Sequence, residues 1–171
     1  MFRTPPAPED EAGSSRERIA GPGPLRDAEP ETPRTCGAAG VRELLEQAQL
    51  KPTRQRLRLG ELLFGRGGRH VTPDMLYREV NEGGEAISRG TVYNTLHELT
   101  RAGLVRQIGV RGGVTFFDTN PSTHHHYFID GEDRLLDLDG PGLDIAAMPE
   151  LPAGYEVARI DAIVHLRRKR S

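Results

Sequence analysis

Apolar side chains recur along this chain with two different periods, and the change from one to the other divides it. Val41, Leu44, Leu45 and Ala48 share one side of a helix. Lys51-Pro52-Thr53 interrupts that pattern. Thr53 can cap a second helix, whose Leu57, Leu59, Leu62, Leu63 and Phe64 precede Gly65. Thr72 as a cap with Pro73 at the first helical position starts a third helix, with Met75, Leu76 and Val80 inward and Gly83-Gly84 at its end. Ser88 opens a fourth, which runs to about Ala102 before Gly103. Its inner face is Val92, Leu96 and Leu99; Gly90, Asn94, His97 and Arg101 lie opposite, with Tyr93 on the flank.

From residue 104 the period shortens to two. Leu104–Ile108 and Val114–Asp118 read as paired strands around the turn Arg111-Gly112-Gly113. Helices followed by a β-hairpin are the element order of a winged helix–turn–helix, with the fourth helix as reader. Further on, His126–Ile129 and Leu135–Leu138 form a second hairpin around Gly131-Glu132-Asp133. A weak helix is expected near Leu143 to Met148, and a third strand over Tyr155–Val164. Such a small sheet leaves one side poorly covered, which implies a homodimer. The expected fold class is α+β: an N-terminal winged helix-turn-helix DNA-binding domain (38–119) followed by a small α/β dimerisation and sensing domain (120–171).

Composition adds the rest. Seven of the 13 prolines fall within residues 1–37, a stretch with few large apolar groups, expected to be a disordered tail. The net charge of −2 averages three unlike pieces: −2 over residues 1–37, +4 over 38–111 and −4 over 112–171. The basic piece coincides with the expected reading module, as a phosphate-facing surface requires. No apolar run is long enough to span a membrane and the start is not signal-like, so a cytoplasmic protein is expected. A single cysteine excludes a disulfide framework and a multi-cysteine zinc cage.

Four ordered motifs carry a resemblance: Lys51-Pro52-Thr53-Arg54-Gln55-Arg56, His70 to Tyr77, Thr91-Val92-Tyr93-Asn94-Thr95-Leu96 and His124-His125-His126. Over roughly residues 41–166 the chain resembles the ferric uptake regulator superfamily. Arg69-His70-Val71-Thr72, Phe116 to Asn120 and His124 to Phe128 are most similar to its iron response regulator branch. That branch implies a dimeric DNA-binding transcription factor sensing iron through haem. Two departures stand out. Asp130-Gly131-Glu132-Asp133-Arg134 occupies the place where many members begin their cysteine pairs, so no structural zinc is expected. Cys36 precedes Gly37, whereas a haem regulatory motif has proline there.

For the DNA surface, Asn94 can pair bidentately with an adenine edge, Arg89 or Arg101 can reach phosphate or guanine, and Gly90 permits close backbone approach. By resemblance, Tyr93 packs on a thymine methyl and Lys51 enters an A/T-rich minor groove. Arg54 and Arg56 complete the expected DNA-binding set.

For sensing, the candidates are His70, Asp118, His124, His125 and His126. In a strand His124 and His126 project to one side, about 6.5 Å apart, and His125 to the other. Two imidazoles with a carboxylate suit a transition metal. The resemblance matches His70, Asp118 and His126 to three of four ligands of a site joining the two domains, with Phe128 at the fourth. It pairs His125 with Asp144 in a second, depleted site. Depletion fits a change to haem, whose iron takes only axial ligands from protein. Tyr127 and Phe128 would then cover the porphyrin. The expectation is an iron- and haem-responsive regulator, mainly a repressor of iron and haem metabolism genes, released from its operator by haem. The alternative is a Mn²⁺ or Fe²⁺ sensor using His70, Asp118 and His126 directly. A metal-dependent hydrolase built on the histidines lacks a spaced ligand set with a general base such as His-Glu-x-x-His.

Overall fold

A computed structural model describes residues 36–138 and 149–169. The proline-rich stretch before residue 36, the helix expected at 143–148 and Asp144 lie outside the described residues.

The described residues hold four helices: α1 (Ala38–Gln47), α2 (Arg54–Phe64), α3 (Pro73–Glu82) and α4 (Arg89–Arg101). Three of them start where the side chains dictate. The hydroxyls of Thr53, Thr72 and Ser88 accept from the backbone N–H groups of Arg56, Met75 and Thr91, satisfying donors that a helix start leaves free. Their inward faces meet in one core with Val41, Leu45, Leu59, Leu63, Phe64, Leu76, Val92, Leu96 and Leu99.

Among the described residues, six short strands make two sheets. The first has the order β1-β3-β2, from β1 (His70–Val71), β2 (Arg106–Gly109) and β3 (Thr115–Asp118), all antiparallel. The β2–β3 turn needs two left-handed residues, supplied by Gly112 (φ 90°) and Gly113 (φ 78°). The second has the order β5-β4-β6, from β4 (His126–Ile129), β5 (Arg134–Asp137) and β6 (Ile163–Leu166). β5 is antiparallel to β4 and β6 parallel to it.

Alternation along β3 joins the layers. Phe117 enters the helical core, whereas Phe116 turns the other way into a second core with Ile108, Val110, Phe128 and Leu135. That second core lies between the two sheets.

Two expectations change. β1 is an unforeseen strand that brings His70 opposite Asp118. The last strand occupies 163–166, so most of the alternating stretch Tyr155–Val164 is unpaired and exposed; Tyr155 is 75% exposed. Pairing there is decided by β4, whose His126 meets Ile163, and local alternation does not encode that choice.

Candidate metal centre and nucleic-acid face

Strand register assembles one polar row on each sheet. In the first sheet His70 and Arg106 flank Asp118 as cross-strand partners. In the second, Asp137 is the cross-strand partner of His126. The rows face each other beside the second core, and His124 reaches in from the loop before β4. Asp118 and His126 are each 1% exposed.

Five donor atoms converge: His70 Nε2, Asp118, His124 Nε2, His126 Nε2 and Asp137, all within 4.8 Å of one another. His70 Nε2 lies 3.0 Å from Asp137 Oδ1, and His124 Nε2 lies 3.0 Å from Asp118 Oδ2 and 3.1 Å from Asp137 Oδ1. His126 Nε2 is 3.5 Å from Asp118 Oδ2. These separations permit charge attraction. Yet His70 Nε2, Asp118 Oδ2, His124 Nε2, His126 Nε2 and Asp137 Oδ1 are all buried without a hydrogen bond of proper angle. The five atoms crowd one small volume. Buried polar atoms left this way are costly, and an ion held among them would relieve all five together.

Without an ion, the histidines and carboxylates act on one another's charge. Contact with the Asp118 carboxylate, then with Asp137, pulls His124 up to about 9 against opposing burial. Asp137 is held well below the usual carboxylate range by His124 and then His70. Burial pushes Asp118 up, but His124, His126, the Asn120 backbone N–H and His70 together outweigh it and leave Asp118 lowered.

The fit to a divalent ion is good. Three imidazoles and two carboxylates are a mixed nitrogen–oxygen set suited to Mn²⁺, Fe²⁺ or Zn²⁺. His124 is oriented as a ligand, because its Nδ1 donates to the Ser122 carbonyl at 3.0 Å and leaves Nε2 for the cluster.

Not every expected residue is brought here. His125 projects away from the cluster, and its Nδ1 accepts the Ala162 backbone N–H at 3.3 Å. Alternation along the chain puts its neighbours into the cluster and His125 against the β6 segment. Phe128 is buried in the second core, its ring 6.2 Å from Phe116. Asp137 is a candidate donor that the sequence does not single out; its one signal is its place in the hairpin opposite His126.

On α4, Arg89, Gly90, Tyr93, Asn94, His97 and Arg101 are exposed, while Val92, Thr95, Leu96 and Leu99 are buried. Lys51 and Arg54 are also exposed. Arg56 is drawn inward instead, bound to Glu98 on α4 and to the Lys51 carbonyl, so it braces two helices. Arg89 bonds to Asp74 and stacks 4.3 Å over the Tyr77 ring, fixed at the start of α4.

The family model described as "Ferric uptake regulator family" matches residues 47–141. The chain belongs to the ferric uptake regulator family. The ferric uptake regulation protein of Escherichia coli K12 is 34% identical over 85 residues, half of this chain and 57% of that protein. The Klebsiella pneumoniae ferric uptake regulation protein is also 34% identical over 85 residues, 55% of its length. The chain thus spans little more than half the length of these curated relatives. Among solved structures, the Vibrio cholerae ferric uptake regulator shares the fold with a TM-score of 0.60 at 24% identity, over 74% of this chain and 98% of that one. The Pseudomonas aeruginosa regulator with manganese gives 0.57 at 22% identity, over 76% and 98%. The winged-helix architecture with a second small sheet is therefore that of the family. Among the described residues no helix is long and apolar enough to cross a membrane.

Proposed function

We propose that this chain is a DNA-binding transcriptional regulator, not an enzyme, whose operator affinity is governed by a divalent transition metal. His70, Asp118, His124, His126 and Asp137 would hold it. The observation that carries this reading is the set of five buried donor atoms within 4.8 Å of one another and without hydrogen bonds. Such an ion would supply positive charge between two carboxylates and would join His70 and Asp118 of the first sheet to the donors around the second. Because β1, β2 and β3 form the wing, fixing one sheet on the other orients the reading unit. The exposed face of α4 supports DNA as the partner: Asn94 and Arg101 for base edges and phosphates, Tyr93 for a thymine methyl, and Lys51 for the minor groove. In this reading a homodimer acts in the cytoplasm, chiefly as a repressor of metal-uptake genes.

Haem is the competing ligand, on the resemblance of the histidine triplet to the iron response regulators. Convergent donors and a buried Phe128 favour an ion over a porphyrin. Fluorescence anisotropy of the purified full chain on an operator recovered by genomic selection separates the two. With Mn²⁺ the DNA affinity should rise at least about tenfold, and Asp118→Ala should abolish the rise, as expected when a ligand is lost. An affinity that ignores Mn²⁺ and Fe²⁺ but falls with haem would replace this reading by the haem one.

A further inference from the structure

Arg106 lies on β2, a strand of the wing, and is only 9% exposed. A guanidinium withdrawn from water requires several partners. Arg106 Nη2 donates to Asp161 Oδ1 at 2.6 Å, and Nη1 donates to the Ser122 carbonyl. That carbonyl is also the acceptor for His124 Nδ1, at 3.0 Å. Since Nδ1 must carry a proton to reach it, the 3.5 Å approach of Arg106 Nη1 to the same nitrogen is a contact rather than a hydrogen bond. Ser122 is held in turn, its N–H and hydroxyl donating to Asn120 Oδ1 at 3.1 and 2.8 Å. The Asn120 backbone N–H donates to Asp118 Oδ1 at 2.8 Å. Asp118, Asn120, Ser122 and His124 therefore form a loop of interactions that begins and ends on metal-donor candidates. Arg106 clips its outer edge to Asp161, just before β6.

We propose that Arg106 is a positioning residue that couples the donor cluster to the wing. One guanidinium fork grips the carbonyl that orients His124 and the carboxylate that docks the β6 segment. A shift of His124 towards an ion would thus be transmitted through Ser122 to β2 and the rest of the wing. The planar fork makes both bonds at once, which a lysine ammonium at the end of a flexible stem does not reproduce. The inference rests on the metal-responsive reading above and adds the device that carries the response.

The test uses the full chain with Co²⁺ as a spectroscopic probe and Mn²⁺ for DNA anisotropy, in wild type, Arg106→Lys and Asp161→Asn. Neither variant removes a metal donor or a residue of the exposed α4 face. Arg106→Lys should shift the visible Co²⁺ band and weaken Co²⁺ binding about tenfold, as loss of a partner orienting a metal ligand does. It should also cut the Mn²⁺-induced gain in DNA affinity several-fold, with DNA affinity in the absence of metal unchanged. Asp161→Asn should keep the Co²⁺ band and lose part of the gain. A wild-type band together with a wild-type gain in Arg106→Lys would overturn the proposal, as would an equal loss of DNA affinity with and without metal. If Arg106→Lys fails to fold, a folded Asp161→Asn with the full gain overturns it. A wild-type protein showing neither a Co²⁺ band nor a metal-linked gain overturns the metal-responsive reading itself.

Discussion

Asp137 approaches His70 at 3.0 Å and His124 at 3.1 Å through the same oxygen, and so holds together donors from both sheets. Shortening that reach or removing its charge should act on metal binding more than on folding, because the side chain is about one-third exposed. Asp137→Ala is expected to weaken Mn²⁺ binding about 10- to 100-fold by calorimetric titration. A binding curve unchanged from wild type would remove Asp137 from the donor set. Asn94 is the corresponding residue on the DNA face: it is exposed on α4 while Thr95 and Leu96 beside it are buried. If Asn94 reads an adenine, Asn94→Ala costs about 1–3 kcal/mol on the operator and little on random duplex. Equal losses on both sequences in a gel-shift series across salt would show that it reads no base. The two residues were unequally legible. Asn94 sits in a capped amphipathic helix whose outer face can be counted off at 100° per residue. Asp137 sits in Leu-Leu-Asp-Leu, unremarkable until the hairpin register sets it opposite His126.

At the scale of elements, legibility follows how local the determining interactions are. The starts of α2, α3 and α4 could be read because each rests on a hydroxyl bonding to a backbone N–H three residues on. β1 could not, since two residues carry no period and become a strand only through pairing with Phe117 and Asp118. The place of β6 is not encoded locally for the same reason: it is chosen by β4, by the Ala162 N–H on His125 and by the Asp161–Arg106 bond. β3 is the element on which both cores depend, with successive phenylalanines in opposite directions. Phe116→Ala should cost about 3–5 kcal/mol by urea denaturation, as for large-to-small changes in a packed core. It should also weaken Mn²⁺ binding, because Phe116 and Asp118 project from the same side of the strand between the sheets. Loss of stability with Mn²⁺ affinity intact would mean that the second core and the donor cluster are independent.

Over the whole molecule, the bland net charge of −2 conceals a basic reading module (+4 over 38–111) and an acidic segment after it (−4 over 112–171), and the donor cluster lies where the two meet. Three imidazoles and two carboxylates without an ion stabilise one another only in certain protonation states. His124 is raised from 6.5 to about 9, so its contribution to the metal-free fold is fully present below about pH 6.5 and is lost as pH rises through about 9. Asp118 and Asp137 are lowered, so their contribution is present above the ordinary carboxylate pKa near 3.8 and is lost as acid protonates them. The metal-free protein should therefore show a melting temperature that declines from pH 6 to pH 8.5. An ion needs the lone pair of His124 Nε2 and must displace that proton, so binding strengthens over the same interval. The rise in melting temperature on saturation with Mn²⁺ should accordingly grow with pH while the metal-free value falls. Differential scanning fluorimetry at several pH values, with and without Mn²⁺, measures both trends on one sample. Parallel profiles, with a stabilisation by Mn²⁺ independent of pH, would show that His124 does not exchange its proton for the ion. The same comparison in His124→Ala should flatten the metal-free decline, because the group whose raised pKa sets it is gone.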